Sequence, residues 1–177
     1  MSAIGAARGC IKENEAENGV VLLDIGAGLT ELVIIKDKVI KEMAVIPFGG
    51  ECITNDIKSI SCVTRDVAEL LKVRYGSCIE EGIKDNKKLV IRGKGGSEDI
   101  EVPLIQLAGV VAARVSEILE SSLYLVEQLG YGDKIPAGFV ITGGSAYLEN
   151  IKSLGAAITD HCVRLANVQG NISDKSV

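Results

Sequence analysis

Residues 20–30 read Val20-Val21-Leu22-Leu23-Asp24-Ile25-Gly26-Ala27-Gly28-Leu29-Thr30, an unbroken apolar run that meets an acid and opens into a glycine turn. A strand apolar at every position needs both faces buried, so this one belongs inside a covered sheet. Leu32 to Lys36 and Val39 to Val45 follow as two more strands, with Lys36-Asp37-Lys38 as the hairpin turn between them. Three tightly connected strands open a mixed sheet that other elements must cover, which is α/β organisation.

The turn after the first strand also carries chemistry. Its backbone amides, from Asp24 to Thr30, can curl around an anion. Gly26 and Gly28 permit the close approach this requires, Asp24 can orient a magnesium ion through its waters, and Thr30 can add a hydroxyl. The same residues also fit a plain glycine-rich hairpin in which Asp24 caps its own turn.

A second glycine turn, Thr142-Gly143-Gly144-Ser145, lies between a strand over Gly138 to Thr142 and a helix over Ala146 to Ile158. There, amides and the helix dipole favour negative or polar ligand groups, although a tight strand-to-helix connection with a serine N-cap fits as well. Two such turns at strand carboxyl ends are more specific together than apart, because α/β folds collect ligands at those ends. A last strand is expected over Cys162 to Ala166.

The remaining segments place further candidates. Ser2 to Glu17 reads as one short helix ending at Asn18-Gly19, and Pro47-Phe48-Gly49-Gly50 breaks the strand pattern. Ile53, Ile57 and Ile60 give Glu51 to Ile60 a helical spacing, and Thr64 caps a second helix from Arg65 to Tyr75 that Gly76 ends. On that helix Glu69 and Lys72 sit one turn apart, able to bind ribose hydroxyls or a base edge; a solvated face is the plain alternative. Ser77 to Glu101 is irregular, with one short strand at Lys88 to Arg92 and a GKGGSED stretch. Pro103 opens the longest helix, running to about Gly130 with Leu107, Val111, Val115 and Val126 on its apolar face. The tail from Asn167 to Val177 reads as disordered.

The totals narrow the function. A chain of 177 residues, 47% hydrophobic, can bury a substantial core, and a formal net charge of −5 argues against a broad grip on nucleic acid or anionic lipid. The 5 cysteines are scattered with no CxxC pair, so neither a zinc site nor a disulfide framework is indicated, and a reducing cytoplasm is the expected home. His161 stands alone, without a cysteine spaced as nucleophile to its base. No apolar run approaches the roughly 20 residues that cross a bilayer.

The segments VVLLDIGAGLTELVII, AVIPFGGECITNDI, AELLKVRYGSC and GFVITGGSAYLENI, in this order, resemble the second half of FtsA, the bacterial cell-division member of the actin family. DIGAGLT looks like that family's second phosphate motif, VIPFGG like its crossing between two C-terminal subdomains, and VITGGSA like its adenosine motif. The resemblance implies an actin-like, ribonuclease H-like mixed-sheet subdomain from residues 1–50 and 130–166, called 2A. A smaller inserted α+β subdomain, 2B, would span 51–129. It implies ATP or ADP with magnesium as cofactor: Asp24 toward the metal and its water, Gly26, Ala27, Gly28, Leu29 and Thr30 on the phosphates with Gly49 and Gly50 adjoining. Glu69 and Lys72 would take ribose and adenine, and Gly143, Gly144 and Ser145 the adenosine. It further implies that 2B docks the C-terminal peptide of FtsZ, and that the parent protein self-associates at the inner face of the cell membrane at the division site.

Three departures bear on this. Ala27 stands where the family usually has glycine, and Leu29-Thr30-Glu31 where many members have Thr-Thr-Asp. The chain begins just before the phosphate turn, so the opposite lobe is expected elsewhere and hydrolysis by this chain alone is not expected. No amphipathic membrane-targeting helix follows Val177, so membrane contact would come through another segment. A lobe of a sugar-kinase or chaperone ATPase uses the same two turns, and an interaction domain that has lost its nucleotide is the third reading.

Overall fold

The computed structural model describes residues 2–84, 86–92 and 98–167. The apolar run forms strand β1, Val20–Ile25, followed by β2, Thr30–Lys36, and β3, Val39–Ile46. The β2–β3 hairpin turns on Asp37 and Lys38, both left-handed at φ 54° and 61°, the geometry that matches strand twist in a two-residue loop. Two later strands, β6 (Phe139–Thr142) and β7 (Val163–Leu165), complete a five-stranded sheet in the order β3-β2-β1-β6-β7. β1 is antiparallel to β2 and parallel to β6, so the sheet is mixed and β1 lies at its centre.

Central placement explains the composition of β1. Val21, Leu23 and Ile25 point into one core and Val20 and Leu22 into the other. The larger core is closed by α3 (Gly50–Ser61), α4 (Arg65–Tyr75) and α5 (Leu104–Gln128), which contribute Ile53, Leu71, Val111 and Ile118. The opposite face is covered by α1 (Ser2–Cys10), through Ala3 and Ala7. Residues from both 1–50 and 51–129 therefore share a single hydrophobic cluster.

Four local expectations are corrected. The N-terminal helix is two helices, α1 and α2 (Glu13–Asn18), because the Glu15 carboxylate accepts the Lys12 amide and caps a fresh start. Pro103 ends a strand, β5 (Ile100–Pro103), which pairs with β4 (Lys88–Ile91); at an edge its missing N–H costs no ladder bond, and α5 starts at the next residue. Helix α6 begins at Ile151, after a single 3-10 turn over Gly144–Tyr147, and ends at Thr159. The expected strand Lys88 to Arg92 stops at Ile91, and the expected disordered tail lies, from residue 168 onward, outside the described residues, as do residues 93–97 of the GKGGSED stretch. Among the described residues no helix is long and apolar enough to cross a membrane.

A partly buried ion pair ties the N-terminal layer to the sheet. Arg164 donates from Nε to Glu15 Oε1 at 2.7 Å and from Nη2 to Glu15 Oε2 at 2.5 Å and to the Cys10 carbonyl at 2.8 Å. These bonds hold the Glu15 carboxyl below the usual carboxylate range, against the opposing effect of burial. Truncating Arg164 leaves that partly buried carboxylate with the Lys12 amide as its remaining partner, so Arg164→Met is expected to cost about 2 kcal/mol in urea unfolding. Lys38→Met, which removes an exposed pair with Glu13, should leave the unfolding midpoint nearly unchanged in the same measurement.

Candidate nucleotide site

The turn between β1 and β2 owes its shape to α3. An α-helix starts with unpaired backbone amides, and here two of them find acceptors in the turn: Gly50 N–H donates to the Gly26 carbonyl at 2.9 Å and Glu51 N–H to the Ala27 carbonyl at 2.8 Å. Within the turn, Gly26 N–H donates to the Leu29 carbonyl at 3.0 Å. The turn's carbonyls are thus committed inward. Among the described backbone hydrogen bonds, the amides of Ala27, Gly28 and Leu29 donate to nothing. Gly49 makes this contact possible, since a Cβ there would lie 2.6 Å from the Gly26 carbonyl oxygen.

Parallel pairing of β1 with β6 sets Asp24 beside Thr142, which brings the second glycine turn alongside the first. Gly143 adopts φ +90°, and a Cβ on it would meet the Ile25 carbonyl at 2.4 Å and Asp24 Oδ1 at 2.7 Å, so only glycine closes the gap. On the other side, a Cβ on Gly50 would stand 2.5 Å from Ser145 Oγ. The start of α3 therefore lies between the two turns and touches both.

Together these segments line a cavity of about 240 Å³. Of the residues expected from sequence, Gly26, Ala27, Gly50, Glu69, Lys72, Gly144 and Ser145 line it. Asp24, Gly28, Leu29, Gly49 and Gly143 adjoin that lining without forming it. Thr30 does not face the cavity: it is fully buried and donates its hydroxyl to the Phe48 carbonyl at 3.0 Å, so the hydroxyl expected for a ligand serves the fold. The second turn also lacks the expected helix dipole, because the four-residue 3-10 turn and a left-handed Asn150 separate it from α6.

Val73, Tyr147 and Leu148 complete the lining, and sequence reasoning missed them as site residues. Val73 is an exposed apolar residue of α4 with no local feature to mark it. Tyr147, 90% exposed, had only its place after the glycine turn to mark it.

Glu69 and Lys72 do not form a solvated surface pair. Lys72 is buried, and its Nζ donates to Glu69 Oε2 at 2.8 Å, Thr54 Oγ1 at 2.8 Å and the Gly50 carbonyl at 3.0 Å. Glu69, half-exposed, also accepts from Thr54 Oγ1 at 2.5 Å. Both bonds fall on Oε2, which leaves Oε1 available to a polar ligand group. Thr54 gave no sequence signal, since its partners lie 15 and 18 residues away.

For a metal ion the described residues offer no group of three or more His, Cys, Asp or Glu that could hold it directly. Asp24, near the end of β1 and with no side-chain hydrogen bond among the described residues, suits contact through water.

A family model described as cell division protein FtsA matches residues 21–176. The chain belongs to the FtsA family. FtsA of Pseudomonas aeruginosa is 32% identical over 165 residues, covering 93% of this chain and 40% of its own length. FtsA of Neisseria meningitidis is 30% identical over 180 residues, covering 99% of this chain and 43% of its own. The chain thus spans about two-fifths of the length of these FtsA relatives. Among solved structures, MreB 5 of Spiroplasma citri bound to AMPPNP superposes with a TM-score of 0.78 at 23% identity, covering 93% of this chain and 53% of that one. The PilM-PilN type IV pilus biogenesis complex gives 0.61 at 17% identity, covering 94% and 39%. These establish an actin-like fold for this FtsA-family chain, and the family match displaces the sugar-kinase and chaperone readings.

The Glu69 carboxyl has a signed pH consequence. Burial pushes it up, but the hydrogen bonds from Lys72 and Thr54 and the charges of Lys72 and Arg65 outweigh this and hold it below its ordinary value. A carboxylate depressed in the folded state stabilises above its unfolded pKa and loses that contribution as pH falls through the folded one. An NMR titration should find Glu69 ionising below the usual glutamate range, and Glu69→Gln should flatten the loss of stability on acidification.

Proposed function

We propose that this chain forms one wall of an ATP- or ADP-binding cleft in an FtsA-type cell-division protein. The observation that carries the reading is the set of amides at Ala27, Gly28 and Leu29 that donate to no backbone group, in a turn bonded to α3 beside a cavity that the second glycine turn also lines. Free amides in succession suit phosphate oxygens, which accept hydrogen bonds and carry the charge that such nests favour. The remaining roles follow from position: Glu69 Oε1 accepts from a ribose hydroxyl, and Gly144 and Ser145 border the nucleoside. A magnesium ion bound through water at Asp24 would offset phosphate charge. Actin-like neighbours support the nucleotide: the MreB structures from Spiroplasma citri hold AMPPNP and ADP.

Phosphoryl transfer needs groups that converge on the phosphate from both sides of a cleft, and this wall supplies one of those sides. For the parent we propose the roles implied by its family: weak ATPase activity, self-association, and linkage of FtsZ filaments to the cytoplasmic face of the membrane at the division site. A filament-forming neighbour, MamK, is consistent with self-association. Residues 1–50 with 130–166 are read as subdomain 2A and 51–129 as subdomain 2B, the latter taking the FtsZ C-terminal peptide.

Titrating the 15N-labelled chain with ADP and magnesium should move the amides of Ala27, Gly28, Leu29, Gly144 and Ser145 first. Gly49→Ala, by displacing the turn, should weaken that binding at least about tenfold, and shifts confined to other surfaces would overturn the reading. In calorimetry an FtsZ tail peptide should bind this chain measurably while ATP turnover stays at background; tight ATP binding with no peptide binding would reverse that assignment.

A further inference from the structure

Lys72 lines the cavity, and a lysine beside a phosphate or ribose pocket is ordinarily read as a ligand contact. Its bonding says otherwise. An ammonium has three N–H donors, and all of them are engaged within the protein, on Gly50 O, Thr54 Oγ1 and Glu69 Oε2. We infer that Lys72 is a positioning residue for the 26–29 turn, acting through the Gly50 peptide unit, and not a contact to the nucleoside. This rests on the nucleotide reading of the cavity.

The route is short and each link is a hydrogen bond. Lys72 Nζ holds the carbonyl of Gly50 at 3.0 Å, and the amide of the same residue holds the Gly26 carbonyl at 2.9 Å. Three oxygens crowd this point. Thr54 Oγ1 lies 3.1 Å from Gly50 O and 2.5 Å from Glu69 Oε2, yet its hydroxyl has one hydrogen to give. The carboxylate, the stronger acceptor, takes that hydrogen, which leaves Oγ1 and Gly50 O facing each other with lone pairs. The Lys72 ammonium bridges all three oxygens and removes the repulsion. Without it the first residue of α3 has reason to move, and the Gly26 and Ala27 carbonyls that its turn holds move with it, displacing residues 27–29.

The test separates positioning from contact by using a ligand with no nucleoside. Lys72→Met should weaken binding of inorganic tripolyphosphate about tenfold and should shift the ligand-free amide resonances of Ala27, Gly28 and Leu29. Thr54→Val should shift the same three resonances by less, and Thr54→Ser should restore them. If Lys72→Met leaves tripolyphosphate affinity and the ligand-free turn unchanged while weakening adenosine, the residue is a nucleoside contact and the inference is wrong. Should Lys72→Met fail to fold, the Thr54 pair decides by the same resonances. Failure of the unmodified chain to bind tripolyphosphate or ADP would count against the nucleotide reading instead, and the ligand-free shifts would still judge the positioning role.

Discussion

Two hydrogen bonds, from the Gly50 and Glu51 amides to the Gly26 and Ala27 carbonyls, are the constraint on which this site depends. They satisfy donors that a helix start leaves open, and they do so with carbonyls that the turn would otherwise use for itself. One exchange thus solves two problems: α3 is capped without a side chain, and the turn is left with amides that pair with no backbone group. The demand on composition is severe, because backbone must meet backbone. Gly49 follows directly from it, with a Cβ there placed 2.6 Å from the Gly26 carbonyl, while at Gly50 a Cβ would stand 2.5 Å from Ser145 Oγ of the second turn.

Around that contact the fold acts as a frame. β1 is buried on both faces, so its end at Asp24 and Ile25 is immobilised by two hydrophobic cores at once. Parallel pairing to β6 transmits that fixed position to the second glycine turn, where Gly143 packs on the end of β1. The polar groups behind the cavity are equally constrained, with Lys72, Thr54 and Glu69 forming a closed set of hydrogen bonds on α3 and α4. Chemistry offered to a ligand is therefore mostly backbone, supplemented by Glu69 Oε1 and the exposed ring of Tyr147.

Much of this was legible in the sequence where the signal is local. An apolar run with no alternation declared a central strand at Val20–Ile25, and glycines at strand ends marked both turns, because burial and close approach each leave a residue-by-residue trace. The parts that escaped depend on distant partners. β5 has only four residues and gains its identity from pairing with Lys88–Ile91, across a segment with no periodicity. Lys72 reads as a surface cation until α3, whose Thr54 lies 18 residues earlier, arrives to bury it. Thr30 looked like a ligand hydroxyl because nothing nearby showed that the Phe48 carbonyl, also 18 residues away, would take it. The FtsA resemblance supplied the family and the order of motifs, but not which side of each turn its backbone groups would face.

Amide hydrogen exchange on the ligand-free chain tests the central claim most directly. The Gly50 and Glu51 amides, although in the first turn of a helix where exchange is normally fast, should be protected to the level of the helix interior, while those of Ala27, Gly28 and Leu29 exchange at rates near those of open backbone. Fast exchange at Gly50 and Glu51 together with protection at residues 27–29 would mean that the turn closes on itself, and the account given for the site would be wrong.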